Sequence, residues 1–273
     1  MRCSSECPWR EDGSWFEVFR TIHYAEMGEG RVVPLFRGFK MVPESAVTIE
    51  SVRQAVIRSG EWYLANLQPD GSVVYKFWPS ENRYANENNI VRHTLSTWNL
   101  VQAYELEPRP EFLEAAKATL GFTQSHMVEE TDSEHGEMAL YRFNNNQKLG
   151  TVVINILGIV DLARASGSKE YDELLKKLGN FTKFMAEDNG RFLGYHVPKG
   201  HKYHGRTNDI VPGEAALALI YLADYFDDDS WIEDLDKYWA YYMPLFRERA
   251  QKKHDSAPWP YYIYDNDMRL ALV

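Results

Sequence analysis

The chain has 273 residues, of which 44% are hydrophobic, 26% charged and 14% aromatic, and its formal net charge is −10. That composition suits a globular protein with one large or two small apolar cores. With 30 Lys and Arg against 40 Asp and Glu and no basic tract, it argues against a grip on nucleic acid or anionic lipid.

Residues 1–45 differ from the rest. Phe16 to Tyr24 and Arg31 to Phe36 are β-prone runs separated by Gly28 and Gly30, which predicts an extended or hairpin lead-in. Cys3 and Cys7 lie within it and read as free thiols, and two cysteines make no disulfide framework. Met1 to Arg20 has no apolar stretch of the secretory kind. No apolar run approaching the ~18 residues of a membrane helix stands out, so no membrane span is expected. Together these features predict a cytoplasmic protein.

Residues 46–273 form the second predicted unit. Apolar residues recur there at three- and four-residue spacing, predicting helices over about 46–67, 88–106, 109–127, 148–166, 169–187, 211–226 and 229–249. They belong to a repeat: a Gly turn, an aromatic run, a polar loop, an apolar helix, a tight turn and a more polar helix. Asp70-Gly71, His135-Gly136 and Asn189-Gly190 open three copies, and Trp259 to Tyr264 opens a fourth without the Gly. Aligning the apolar helices puts Thr94, Thr151, Glu214 and Asp267 in one column. Apolar helices alternating with amphipathic ones predict an inner ring buried on both sides and an outer ring half in water. The fold class is therefore all-α: an α/α toroid, a barrel of helical hairpins, with a short β-like lead-in. An irregular α-solenoid is the rival architecture. The last hairpin, from Asp267 to Val273, reads as incomplete, which leaves an apolar face for a second copy of the chain to cover.

The repeat resembles α/α-toroid proteins: six-hairpin-glycosidase-like enzymes, the helical domain of glucuronyl C5-epimerases, and the terpene cyclase and prenyltransferase group. Gly60 to Ser72 is similar to the glutamine–tryptophan motif of the cyclases, except that Val73 stands where Trp is usual. The turn Gln68 to Gly71, Asn89 to His93, and Pro212 to Ala215 more closely resemble a pattern of uncharacterised bacterial toroid proteins. The resemblance implies a fold far more strongly than a reaction.

In a toroid, the loops entering the inner helices gather at one mouth. The four such segments here are 84–89, 144–148, 203–209 and 264–267, all polar and each preceded by an aromatic run. Aromatic faces and amides together suit a sugar, through stacking on C–H faces and hydrogen bonds to hydroxyls. The same Asn, Asp and Thr residues are also ordinary helix caps.

Glu214 and Asp267 are the candidate acid–base pair, with His93 as a supporting base. Arg92 is the candidate substrate anchor. Glu87, Asn89, Tyr84, Tyr195, Tyr203, His204, Arg206 and Asp209 are candidate binding residues. Three of them have a structural alternative: a buried ion pair with an outer-ring carboxylate for Arg92, a cap or a bond to a neighbouring loop for His93, and interaction with the helix dipole for Glu214. His196, His201 and His204 sit in a Lys-bearing loop that reads as solvated rather than as a zinc site, so no metal and no cofactor are expected. Asp227-Asp228-Asp229 reads as a cap rather than a terpenoid-synthase motif, and Asp265 to Met268 lacks the last Asp of the cyclase pattern.

The predicted function is a carbohydrate-active enzyme acting on a glycan or uronate by acid–base chemistry, through hydrolysis, lyase cleavage or epimerisation. The alternatives are a non-catalytic glycan- or peptide-binding scaffold and a terpenoid cyclase-like enzyme.

Overall fold

The computed structural model describes residues 23–26, 30–36, 39–40, 42–78, 81–197, 201–203 and 211–253. Two compact units divide the chain, Met1–Val52 and Arg53–Val273. In the first, strands β1 (His23–Glu26), β2 (Val32–Phe36) and β3 (Phe39–Lys40) form an antiparallel sheet in sequence order. Its register pairs Glu26 with Val32 and His23 with Leu35, so a hairpin joins the two β-prone runs. Phe16 to Ile22 and both cysteines lie outside the described residues.

Helix α1 (Ile49–Asn66) begins at the unit boundary. The second unit continues with α2 (Ile90–Leu106), α3 (Pro110–Gln124), α4 (Leu149–Ser166), α5 (Asp172–Phe184), α6 (Val211–Phe226) and α7 (Leu235–Lys253). The three apolar helices α2, α4 and α6 lie side by side with α4 in the middle. Their direction follows from which ends meet. A Cβ on Gly150, in the first turn of α4, would lie 3.5 Å from Val91 of α2 and 3.3 Å from Val211 of α6. At the far ends, Arg164 of α4 pairs with Asp224 of α6. Starts meet starts and ends meet ends, so the three helices run parallel. The chain must therefore return between α2 and α4 and again between α4 and α6, which α3 and α5 accomplish.

Burial follows this layering. Every residue of α4 from Leu149 to Ala163 is buried, as expected of an inner helix enclosed on all sides. By length and hydropathy α4 could cross a membrane, which corrects the expectation that no such run exists. Here 78% of it is buried inside the protein, so neighbouring helices cover its apolar surface. The outer helix α5 buries Leu175, Leu178, Phe181 and Thr182 on one face and presents Glu173, Lys176 and Lys177 on the other.

Two of the three Gly turns have the same geometry. Gln68 N donates to Ser72 O and Gly71 N to Gln68 O; likewise Glu187 N donates to Arg191 O and Gly190 N to Glu187 O. Leu67 bridges Val73 in the first copy and Ala186 bridges Phe192 in the second. The third, at Gly136, is instead the tip of a long hairpin. Strands β6 (Met127–Asp132), β7 (Gly136–Phe143) and β8 (Asn146–Gln147) form an antiparallel sheet that covers α5. The helix predicted to reach residue 127 therefore stops at Gln124. The helix predicted from 229 is also interrupted, because residues 229–232 form a separate 3-10 turn capped by Asp228, whose Oδ1 accepts from Ser230 N. Trp231 of that turn fills the space above Gly179, where an added Cβ would lie 2.4 Å from the indole. The Asp227–Asp229 run is thus spent on a turn and its cap. Trp259 to Tyr264 and the predicted last hairpin, Asp267 to Val273, lie outside the described residues.

Candidate functional site at the start of the inner helices

The loops that precede α2 and α4 meet around a cleft of about 640 Å³. Its floor is the Gln68–Ser72 turn, held on the outer helix α3. A Cβ on Gly71 would lie 2.3 Å from the Ala118 carbonyl oxygen, so the turn's backbone packs directly on that of α3. One wall is the segment Tyr84–Asn88 leading into α2; another is Phe143 and Asn144, leading into α4. Two of the four predicted mouth segments therefore border one cleft.

Strand β5 (Arg83–Tyr84) pairs with β4 (Phe77–Trp78), setting Tyr84 opposite Phe77 with ring centroids 4.9 Å apart. Glu87 accepts from Lys76 Nζ at 2.5 Å, an exposed ion pair worth little to stability. Asn89 caps α2: its Oδ1 accepts from Arg92 N at 3.3 Å, so this candidate binding residue serves the helix end. Asp70 Oδ1 accepts from Ser72 N at 2.9 Å, and the Ser72 donors hold its carboxyl below the usual range.

Arg92 is exposed and forms no salt bridge among the described residues, so the expected buried ion pair is not found. It lies close enough to Lys76 for the two cations to repel. With Leu95 and Trp98 it forms the less buried side of α2, while Glu214, Leu217 and Tyr221 do the same on α6. These stripes are joined near their far ends by residues that the sequence did not single out. Trp98 Nε1 donates to Asp161 Oδ2 at 2.7 Å, and Arg164 lies over the Tyr221 ring while pairing with Asp224. Burial raises the pKa of Asp161 despite the Trp98 bond. No motif flags this cluster, because it is assembled from three separate helices.

His93 is placed differently from Arg92. It is buried against the outer helix α3, where its Nε2–H donates to the Thr119 carbonyl at 3.0 Å and its ring meets the edge of Phe122. Its Nδ1 is buried with no hydrogen-bond partner. Desolvation pushes its pKa down, so the neutral ring is the folded form. The geometry thus gives His93 a packing role between α2 and α3. A stability effect follows. The unfolded chain takes up a proton at this residue that the folded chain refuses, so stability falls as pH drops below the ordinary His pKa of about 6.5. Denaturant midpoints measured from pH 7.5 to 5.5 are expected to fall less steeply for His93→Gln than for the wild type. Equal slopes would show that His93 does not carry this linkage.

Tyr195 lies beside the start of α4. Strand β9 (Tyr195–Val197) pairs with β10 (His201–Tyr203), Lys148 bridges Tyr195, and Leu149 N donates to Gly194 O. His196 is buried, with its Nε2 at 2.9 Å from Glu130 Oε2, so it ties this hairpin to β6. Tyr203 is placed by its backbone as the strand partner of Tyr195. His204, Arg206, Asp209 and Asp267 lie outside the described residues. Among the described residues no group of three His, Cys, Asp or Glu could hold a metal ion.

The sequence matches no protein-family profile and no curated protein. Among solved structures, a crystal structure of D-mannose isomerase is similar to this chain, with a TM-score of 0.55 at 16% identity. The match covers 78% of this chain and 54% of that one, so this chain spans about half the length of the isomerase it matches. At that identity the likeness is one of fold. The chain has the α/α-toroid architecture, and its inner helices begin together at one end.

Proposed function

We propose that this chain is, or belongs to, a carbohydrate-processing enzyme of the isomerase or epimerase type, working where its inner helices begin. The observation that carries this reading is the aromatic and amide-lined cleft bordered by the loops that enter α2 and α4; the start of α4 in turn meets those of α2 and α6, and Arg92 and Glu214 lie outside the cleft lining itself. The likeness in fold to a D-mannose isomerase supports a sugar as substrate and moves isomerisation or epimerisation ahead of hydrolysis and lyase cleavage. Both favoured reactions remove a proton from carbon next to a carbonyl, which needs one well-placed base and a group that stabilises the enolate or moves the second proton. In this proposal Glu214, in the first turn of α6, is the base. Asp267 is its counterpart, and Arg92 is the cation that holds a substrate oxygen. His93 acts only by holding α2 on α3.

The test is carbon-bound hydrogen exchange. Aldoses, uronates and oligosaccharides of both are incubated with the protein in heavy water and followed by proton NMR. Isomerisation and epimerisation through an enolate introduce deuterium at carbon, whereas hydrolysis of a glycosidic bond does not. Deuterium incorporation in one sugar class supports the proposal. Release of reducing ends without incorporation would replace it with hydrolysis. No change in any sugar, with binding retained, would favour the non-catalytic scaffold.

A further inference from the structure

The cleft does not end at its own walls. A second hollow of about 230 Å³ shares Asn66, Val74, Tyr75 and Tyr84 with it and extends to Trp62 and Phe77. The two hollows adjoin at these shared residues and together make a groove along the end of α1 and the β4–β5 ribbon. Its outer arm carries exposed aromatic surface: Tyr84 is 58% exposed, Trp62 50% and Phe77 44%. Single exposed apolar residues need no explanation, but a contiguous strip marks a binding surface.

The lining also indicates what binds. In the larger arm, the amides of Asn66, Gln68, Asn86, Asn88 and Asn144 stand beside Tyr75, Tyr84, Phe122 and Phe143. Amides both donate and accept, which matches hydroxyls, and the rings offer faces for C–H stacking. Among the described lining residues, the charged groups of this arm are the carboxylates of Asp70 and Glu87. Asp70 is held ionised by Ser72, and Lys76 in the outer arm is already paired with Glu87. With Lys76 and Glu87 paired, Asp70 is the one charge left over among these lining residues, so the surface suits hydroxyls better than carboxylates. A volume of about 640 Å³ lies well inside the roughly 300–1,000 Å³ range of drug-sized ligand sites, leaving room for more than one sugar ring.

We infer that this groove binds a neutral oligosaccharide, with successive rings stacked from Trp62 and Phe77 towards Tyr84 and Tyr75. The inference extends the proposed sugar reading outward from the ring mouth and rests on it for the ligand class, but binding here does not require turnover.

The test is calorimetric titration of the full chain with malto-, cello-, manno- and xylohexaose, and with hexagalacturonate as the anionic counterpart. A neutral hexasaccharide is expected to bind more tightly than the uronate. Tyr84→Ala and Trp62→Ala should each weaken it by about tenfold or more, as expected for a stacked aromatic anchor. Tyr84→Phe, which keeps the ring, should stay near wild type and guards against misfolding as the cause. Preference for hexagalacturonate, no binding of any neutral hexasaccharide, or binding indifferent to Tyr84 and Trp62 would each overturn the inference. Hexasaccharide binding without heavy-water exchange removes only the catalytic reading, whereas exchange without hexasaccharide binding removes only the groove.

Discussion

Replacing Gly190 or Gly71 by alanine is expected to destabilise the second unit by about 3–5 kcal/mol each, from left-handed backbone strain and close backbone approach together. Gly190 has φ of +88° and Gly71 of +84°, a region where a Cβ is penalised before any neighbour is considered. The neighbours then make it worse. A Cβ on Gly190 would lie 2.3 Å from the Lys237 carbonyl oxygen and 2.6 Å from its carbon; on Gly71 it would lie 2.3 Å from the Ala118 oxygen. These are helix backbone atoms, so the neighbour cannot swing aside as a side chain would. The turn would have to lift off the outer helix, taking the adjoining Val73 or Phe192 strand bridge with it. Gly167 is the internal control. Its φ is +66°, but a Cβ there meets nothing within 4 Å, so Gly167→Ala should cost only about 1 kcal/mol. Urea unfolding of the three variants checks the ordering. If Gly167→Ala costs as much as Gly190→Ala, close packing of the turn on α7 is not what Gly190 provides.

Glu214→Gln is expected to slow carbon-bound hydrogen exchange by about 10²–10⁴-fold, the usual share of a positioned base. The residue follows Pro212 and Gly213, which are buried, and is itself only partly buried in the first turn of α6. A glutamate in a first helical turn meets the positive end of the helix dipole, which contributes about 0.3–1 kcal/mol of stability. The variant should therefore lose its rate while its melting temperature falls only slightly. That split separates chemistry from folding. Full exchange activity in Glu214→Gln would remove this residue from the reaction, and a large loss of stability with an unchanged rate per folded molecule would make it a structural helix-start residue.

Much of the architecture was legible because it repeats. The Asp-Gly and Asn-Gly turns, the near-uniform apolarity of Leu149 to Ala163 and the mixed polarity of Asp172 to Phe184 are local features, and each maps directly onto a turn, an inner helix or an outer helix. Strand β6 was not legible. Met127 to Asp132 carries two glutamates and little apolar character, and it becomes a strand because β7 pairs with it. Arg92 and His93 show the same limit at single-residue scale. Both are one turn inside α2, and the sequence treats them alike. The rotation of α2 against α3 decides between them, sending His93 to the Thr119 carbonyl and leaving Arg92 exposed.

The amino-acid sequence by itself thus determined the alternation of apolar and amphipathic helices, the turns between them and the polar character of the loops entering the inner ring. Spacing and composition suffice for these, because they depend on residues a few positions apart. Only the tertiary structure decided which loop side chains share a cleft. Asn66, Tyr84, Phe122 and Asn144 come from four separate segments, and they meet because the turn at Gly71 packs on the backbone of α3 and Gly150 lets the starts of α2, α4 and α6 close together. Those contacts are fixed by packing between distant parts of the chain, which no local pattern records.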